Sequence, residues 1–289
     1  VKRLLIIGGL GQLGASLKRA AQGSWTVAAP KRSECDVTDT ASISLALEAE
    51  RPDVVINCAA FHDLNQCEAD EARAHLVNAQ AVADLARACG KAKARLLTIS
   101  TDYVFDGWTR TPYDEDDAPH PLQAYGRSKR AGEVAALNAC PDGVFVVRTC
   151  GLYGQGGSRG KGSNFVEKRL SDAAAAKSLE VGCDLICTPT ATDALAPALL
   201  TLAAHPKAQG GIYHLTAEGQ CSWAEFTQAI FDLSKIDCRV LPIDRQGNYG
   251  PIKRPAYSVM ANRKAAALGI RLDDWQDGLA AYLTARLNG

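Results

Sequence analysis

RLLIIGGLGQLGASLKRAAQ, residues 3–22, runs from an apolar, β-capable segment through a glycine turn into a helical pattern. Its glycines at 8, 11 and 14 have separate uses. Gly8 permits a tight turn, Gly11 lets the backbone approach a pyrophosphate, and Gly14 lets the helix pack on a sheet. The N-terminus of the following helix presents free N–H groups and the positive end of a dipole, both suited to phosphate. A strand before the glycines and a helix after them is the context a dinucleotide-binding turn needs. Gly8, Gly11, Gln12 and Leu13 are therefore the first candidate cofactor contacts.

Outward from this turn, apolar strands alternate with helical stretches. WTVAA (25–29), DVVINCAA (53–60), RLLTIS (95–100) and GVFVVRTC (143–150) read as strands. DVTDT (36–40) introduces a helix through ISLALEAE, EARAHLVNAQAVADLARACG (71–90) has helical periodicity ending at Gly90, and QAYGRSK (123–129) opens another helix. Continuous apolar strands separated by helices predict a doubly wound parallel sheet covered on both faces, an α/β fold of Rossmann type. Its ligands should sit beyond the carboxyl ends of the strands. A smaller C-terminal lobe should hold the substrate. We expect 1–153, with 188–218, to form the cofactor domain, and 154–187 with 219–289 the substrate lobe.

Composition excludes several classes. The 289 residues are 47% hydrophobic and 22% charged, and 32 Lys plus Arg balance 32 Asp plus Glu. No net field attracts nucleic acid or an anionic membrane. LLII (4–7) is too short for a signal-peptide core, and ALAPALLTLAA (194–204) is too short to span a bilayer. The chain reads as soluble and cytoplasmic. Its ten cysteines lack paired metal or disulfide spacing and read as reduced, mostly buried thiols, so no metal site is expected.

The end of the second strand, AAPKRSE (28–34), has no carboxylate for a ribose 2′-hydroxyl but carries Lys31 and Arg32. Arg32 could accept a 2′-phosphate, which favours NADP(H), with NAD(H) the alternative. Asp36 and Val37 are placed to flank the adenine, and Ala59 and Ala60 to line the cofactor's ribose. Tyr125 and Lys129 share a helix face at i and i+4. Ionising a free phenol at neutral pH costs roughly 4 kcal/mol. A cation about 4 Å away at an effective dielectric near 20 contributes about the same. Lys129 is thus sized to let Tyr125 act as a general acid toward the alkoxide formed when a carbonyl is reduced. Thr101, at the edge of STDYVFDG (100–107), is the candidate third partner. Ser100 competes with it, and Asp102 could bond substrate hydroxyls or cap the turn.

The GxxGxxG spacing with these motifs resembles the dTDP-4-dehydrorhamnose reductases, among the extended short-chain dehydrogenase/reductases. The matching segments are GGLGQLG (8–14), DVVINCAA (53–60), STDYVFDG (100–107), PLQAYGRSKRAGE (121–133), RTCGLYG (148–154), NFV (164–166), TPT (188–190), SWAEF (222–226) and RPAYSVM (254–260). The resemblance spans almost the whole chain. It implies NAD(P)H-dependent reduction of the 4-keto group of dTDP-6-deoxy-L-lyxo-4-hexulose, with Thr101, Tyr125 and Lys129 catalytic. It further suggests Asn164 and Arg254 beside the diphosphate, although Asn164 reads equally as the cap of the FVEKRL helix. Departures from the family pattern fall at His62 and Asp63, at Cys150 and Gly151, and at Leu185 and Cys187, each place expected to border the sugar pocket. A related 4-keto deoxysugar nucleotide is therefore an alternative substrate. The chain also looks like the β subunit of methionine adenosyltransferase, which implies a non-catalytic NADP-binding alternative. The oligomeric state is left open, a homodimer being one arrangement.

Overall fold

The computed structural model describes residues 1–156 and 162–287. In chain order, β1 (Lys2–Ile7), α1 (Gln12–Ala20), β2 (Trp25–Ala28), α2 (Thr40–Glu50) and β3 (Val54–Asn57) come first. They are followed by α3 (Leu64–Ala69), α4 (Glu71–His75), α5 (Ala81–Ala92), β4 (Arg95–Thr101), α6 (Ala124–Ala139) and β5 (Val144–Thr149). Next come β6 (Leu152–Tyr153), α7 (Phe165–Ala175), β7 (Ser178–Gly182), β8 (Ile186–Cys187), β9 (Thr190–Ala191), α8 (Thr192–Ala204) and β10 (Gly211–His214). The chain continues with β11 (Cys221–Ser222), α9 (Trp223–Ser234), β12 (Arg239–Ile243), α10 (Arg263–Ala267) and α11 (Trp275–Leu287).

Six strands form one parallel sheet in the order β10-β5-β4-β3-β1-β2. Alternation along β1 builds a core on each face. Leu4 and Ile6 pack with Leu13 and Leu17 of α1 and Leu195 and Leu199 of α8. Leu5 and Ile7 pack with Ile43 and Leu47 of α2 and Leu85 of α5. Burying each such aliphatic side chain contributes about 1.5–3 kcal/mol, so both faces anchor the sheet. Strand order reverses between β1 and β3, which leaves a crevice at their carboxyl ends.

The helix expected over 71–90 is interrupted. Residues Leu76–Gln80 form a π turn between α4 and α5, and the helix runs past Gly90 to Ala92, with Lys93 as its left-handed cap at φ 56°. The wider turn places Asn78 inward. Its Oδ1 accepts from the Phe61 amide (2.9 Å), and its Nδ2 donates to the Phe61 carbonyl (2.7 Å) and Ser128 Oγ (3.0 Å). A Cβ on Gly132 would lie 2.0 Å from the Asn78 carbonyl, so glycine there lets α6 press against the turn.

The smaller C-terminal lobe is built from β6 to β9, β11, β12, α7, α9 and α11, while α10 packs against the main sheet. β7 pairs with β12, β8 with β11, and β6 with β9, around a core of Tyr153, Val166, Phe226, Phe231, Trp275 and Leu279. A reciprocal cap between Ser222 and Glu225 starts α9. Residues 255–260 join the two parts: Met260 bridges Tyr113, and Tyr257 bridges Ile186 of β8. Among the described residues, no helix is long and apolar enough to cross a membrane.

Candidate active site

The glycine turn lies at the crevice between β1 and β3. Gly8 has φ +77°, and a Cβ there would come within 2.9 Å of the Ala59 amide nitrogen, so conformation and contact both require glycine. Over Gly11 the space is open: a Cβ would find only the Gly8 carbonyl, at 3.4 Å. Gly11 begins α1 without a side-chain cap, leaving the first-turn N–H groups available. Gln12 donates to the Leu152 carbonyl (3.1 Å), and its buried Oε1 has no protein partner. Leu13 points into the core, so it can offer the crevice only its backbone. Ala59 and Ala60, half-buried, lie directly after β3. An open, uncapped cradle of N–H donors fits a dinucleotide phosphate, while the orphaned Gln12 oxygen can accept only from a donor such as a ribose hydroxyl.

Arg32 is largely exposed at 74%, and its Nε donates to Asp36 Oδ2 at 2.9 Å. Asp36 is held in its own turn by the Thr38 amide and hydroxyl. Partial burial works against its charge, but the Thr38 and Arg32 bonds keep its carboxyl below the usual range. Val37 is buried, in contact with the core behind β1.

Thr101 and Tyr125 meet at the end of β4. The Thr101 hydroxyl acts on the Tyr125 phenol and favours its ionised form, and the Tyr103 ring stands edge-on to Tyr125 at 6.1 Å. Ser100 turns elsewhere, donating to Glu133 Oε1 at 2.6 Å. The start of α6 is fixed by Gln123, whose side chain caps Gly126 (2.8 Å), and by Glu68, which accepts from the Ala124 amide (2.6 Å).

Lys129 departs from the simple i, i+4 picture. Its buried Nζ donates to the Ile99 carbonyl at 2.5 Å. Burial pushes this amine down to about 8, with Glu133 and Cys58 pulling the other way. The Tyr125 phenol is driven upward by burial first and the Asp102 carboxylate second, while the Thr101 bond lowers it. The balance of phenol against ammonium worked out from spacing alone is thus not the one realised. A buried amine needs an acceptor, and the β4 backbone supplies it.

Asp102 does not face the open cleft. It is 4% exposed and accepts from Thr101 Oγ1 (2.9 Å), Cys150 Sγ (3.1 Å) and Ser258 Oγ (2.7 Å). One of these bonds falls on Oδ1 and two on Oδ2, tying the carboxylate to the β5 exit and the late segment. Of the two roles open for Asn164, the structure fills the capping one. Its Oδ1 accepts from the Glu167 amide (3.0 Å) and its Nδ2 donates to the Gly154 carbonyl and the Tyr282 hydroxyl. Gly157 to Lys161, the glycine-rich stretch before it, lies outside the described residues. Arg254 is exposed, stacks 5.6 Å over the Tyr249 ring and acts electrostatically on the Tyr103 phenol. Beside it, a cleft of about 520 Å³ opens between α3, Gln123 and residues 251–253.

Leu185 and Cys187 are buried at 4% each, Cys187 in a cluster with Phe105, Tyr113 and Tyr257. Sequence reasoning missed the buried network around Glu133. Arg148, fully buried, donates to Glu133 through Nε (2.9 Å) and Nη2 (2.7 Å), and its Nη1 approaches His214 Nε2 at 3.4 Å. An arginine inside the apolar run VFVVRT was the signal, since a charge there needs a buried partner.

A glycine cradle at the switch point of a parallel sheet, with a hydroxyl–tyrosine–lysine set on the neighbouring strand and helix, defines a nucleotide-cofactor protein of the extended short-chain dehydrogenase/reductase class. Residues 2–287 match the family model described as RmlD substrate binding domain, and the chain belongs to that family. It is 37% identical to the spore coat polysaccharide biosynthesis protein SpsK of Bacillus subtilis, over 98% of each chain. It is 38% identical to a dTDP-4-dehydrorhamnose reductase of Mycolicibacterium smegmatis, covering 100% of this chain and 88% of that one. The dTDP-4-dehydrorhamnose reductase of Bacillus anthracis, solved in complex with NADP, superposes with a TM-score of 0.92 at 30% identity, over 98% of this chain and 99% of that one.

Proposed function

We propose that the chain is an NAD(P)H-dependent oxidoreductase that reduces the 4-keto group of a dTDP-6-deoxyhexulose, with dTDP-4-dehydro-L-rhamnose as substrate and dTDP-L-rhamnose as product. The observation that carries this reading is that Thr101 ends β4 and Tyr125 lies at the start of α6, at the carboxyl edge of the parallel sheet from which the open Gly8–Gly11 cradle also leaves β1. Gly8, Gly11, Gln12 and the Leu13 backbone would hold the pyrophosphate, and Ala59 and Ala60 the ribose. Arg32 keeps guanidinium donors free beyond its Asp36 bond, which favours a 2′-phosphate and hence NADP(H). A dihydronicotinamide held there would supply a hydride to the carbonyl carbon. Tyr125 gives its proton to the oxygen that becomes an alkoxide, and Thr101 fixes the phenol beside it. Lys129, anchored on Ile99, keeps a cation behind the tyrosine. Arg254, exposed next to the 520 Å³ cleft, is available to the diphosphate of the sugar nucleotide.

Absorbance-monitored oxidation of NADPH with enzymatically prepared dTDP-6-deoxy-L-lyxo-4-hexulose tests the proposal, the product being identified by mass and NMR. Turnover to dTDP-L-rhamnose is expected from the purified chain alone. Tight NADPH binding with no turnover on this or related 4-keto sugar nucleotides would refute it and favour a binding role.

A further inference from the structure

The loop that follows β12, residues 244–250, is strapped to the smaller lobe by one carboxylate. Asp184, just before β8, accepts from the Arg245 amide (3.3 Å), the Gly247 amide (2.9 Å) and the Tyr249 hydroxyl. Partial burial works against its charge, but these bonds keep its carboxyl below the usual range. Gln246, Gly247 and Gly250 take left-handed φ values of 51°, 75° and 96°, so the chain turns sharply here. Gly182, the last residue of β7, makes room for the Tyr249 ring: a Cβ there would lie 1.9 Å from its hydroxyl oxygen.

The locked Tyr249 ring is a platform for two guanidinium groups. Arg245 lies 5.8 Å from its centroid and Arg254 5.6 Å, both within reach of a cation–π contact. Arg245, Lys253 and Arg254 are all exposed, and among the described residues none of the three makes an ion pair. Asp244, the acid next to Arg245, accepts from the Gln246 amide (2.8 Å) in its own turn. Lys253, with Pro251 and Ile252, lines the cleft of about 520 Å³, and so does Gln123, two residues before Tyr125. Glu68, on the α3 wall of that cleft, is held by the Ala124 amide (2.6 Å). The cleft therefore joins the cationic loop to the helix that carries Tyr125.

We infer that this loop is a guanidinium clamp for the diphosphate of the sugar nucleotide, with Arg245 and Arg254 as its arms, Tyr249 holding both, and Asp184 fixing Tyr249. The inference rests on a nucleoside-diphosphate sugar being the ligand of this cleft. A diphosphate carries anionic oxygens on two phosphorus atoms, and two planar guanidinium forks can take one phosphate each with paired hydrogen bonds. A free arginine side chain gives up rotamer freedom when it binds. One already held against a ring gives up less. Arg245 is thus a binding residue and Tyr249 a positioning residue, and both lie outside every segment that carries the family resemblance. The cofactor's own phosphates have the Gly8–Gly11 cradle, so the clamp acts on the substrate and not on NADPH.

The test is isothermal titration calorimetry with thymidine 5′-diphosphate and, separately, NADPH. Arg245→Ala should weaken thymidine diphosphate roughly tenfold, as for loss of a bond to a charged group, and leave NADPH unchanged. Arg245 is exposed, so the variant should fold as wild type does. Unchanged thymidine diphosphate affinity in Arg245→Ala overturns the inference. So does an equal weakening of NADPH, or a wild type that does not bind thymidine diphosphate. Tyr249→Leu should weaken the diphosphate roughly fivefold, while Tyr249→Phe, which keeps the ring, should stay close to wild type. Equal losses in those two variants, or none in either, overturn the role of the ring; should Tyr249→Leu not fold, Arg245→Ala alone decides. In turnover, Arg245→Ala should raise KM for the sugar nucleotide roughly tenfold with kcat nearly unchanged, and a fall in kcat at constant KM counts against the clamp. Calorimetry needs no turnover, so loss of the functional proposal and loss of this inference are separately visible.

Discussion

Replacing Lys129 by methionine should make the protein more stable near neutral pH while removing its activity. The side chain is almost fully buried, and burial lowers the amine from 10.5 to about 8. Below pH 8 the folded and unfolded chains both carry the proton, so the folded state bears the whole cost of the buried charge. The depression, about 2.5 units at about 1.4 kcal/mol each, corresponds to roughly 3 kcal/mol. Between about 8 and 10.5 the unfolded state binds more protons than the folded one, and stability rises with pH. Wild type should gain about 1.4 kcal/mol relative to Lys129→Met between pH 7 and pH 9. Methionine fills a similar volume without charge, although the Ile99 carbonyl loses a donor, which offsets part of the gain at pH 7. Urea unfolding of both proteins at pH 7, 8 and 9 measures this directly. Parallel curves, with no pH-dependent difference between the two proteins, would show that Lys129 is not a desolvated amine and refute the reasoning.

Three further outcomes are expected. Tyr125→Phe should lower turnover by roughly 10²- to 10⁴-fold with NADPH affinity, read by fluorescence titration, nearly intact; turnover at the wild-type rate would remove Tyr125 as the acid. Arg32→Ala should weaken NADPH roughly tenfold and leave NADH little changed, as expected for loss of one charged contact; equal losses for both would exclude it from the 2′-phosphate. His214 is pushed down to about 3 by burial and by Arg148, so its neutral ring donates Nδ1–H to the Ala261 carbonyl (3.2 Å) and accepts from Arg148. Its contribution is complete above pH 6.5 and is lost as pH falls toward 3, amounting to about 2 kcal/mol by pH 5. Chemical denaturation at pH 7 and 5 should show this loss in wild type and not in His214→Leu.

Much of the fold was legible because its signals are local. Gly8 marks a turn by its own backbone conformation and Gly14 a close approach of α1 to the turn, and Leu4 to Ile7 mark a strand buried on both faces. The π turn at 76–80 was not legible, since no propensity separates it from a helix; it forms where Asn78 must reach Phe61 and Ser128. Leu185 and Cys187 lie inside the fold because β8 is covered by β11 and the returning 255–260 segment, contacts no local window contains.

The sequence by itself determined the class of sheet, the phosphate-binding turn, and the presence of Thr101, Tyr125 and Lys129 at neighbouring strand and helix ends. These follow from residue type and from periods of a few residues. Only the tertiary structure decided which acid–base partners meet. Ser100 is drawn to Glu133, 33 positions away; Lys129 to Ile99, 30 away; and Asp102 to Cys150 and Ser258, 48 and 156 away. Buried polar groups must find partners wherever packing brings them, and packing is set by the whole chain at once.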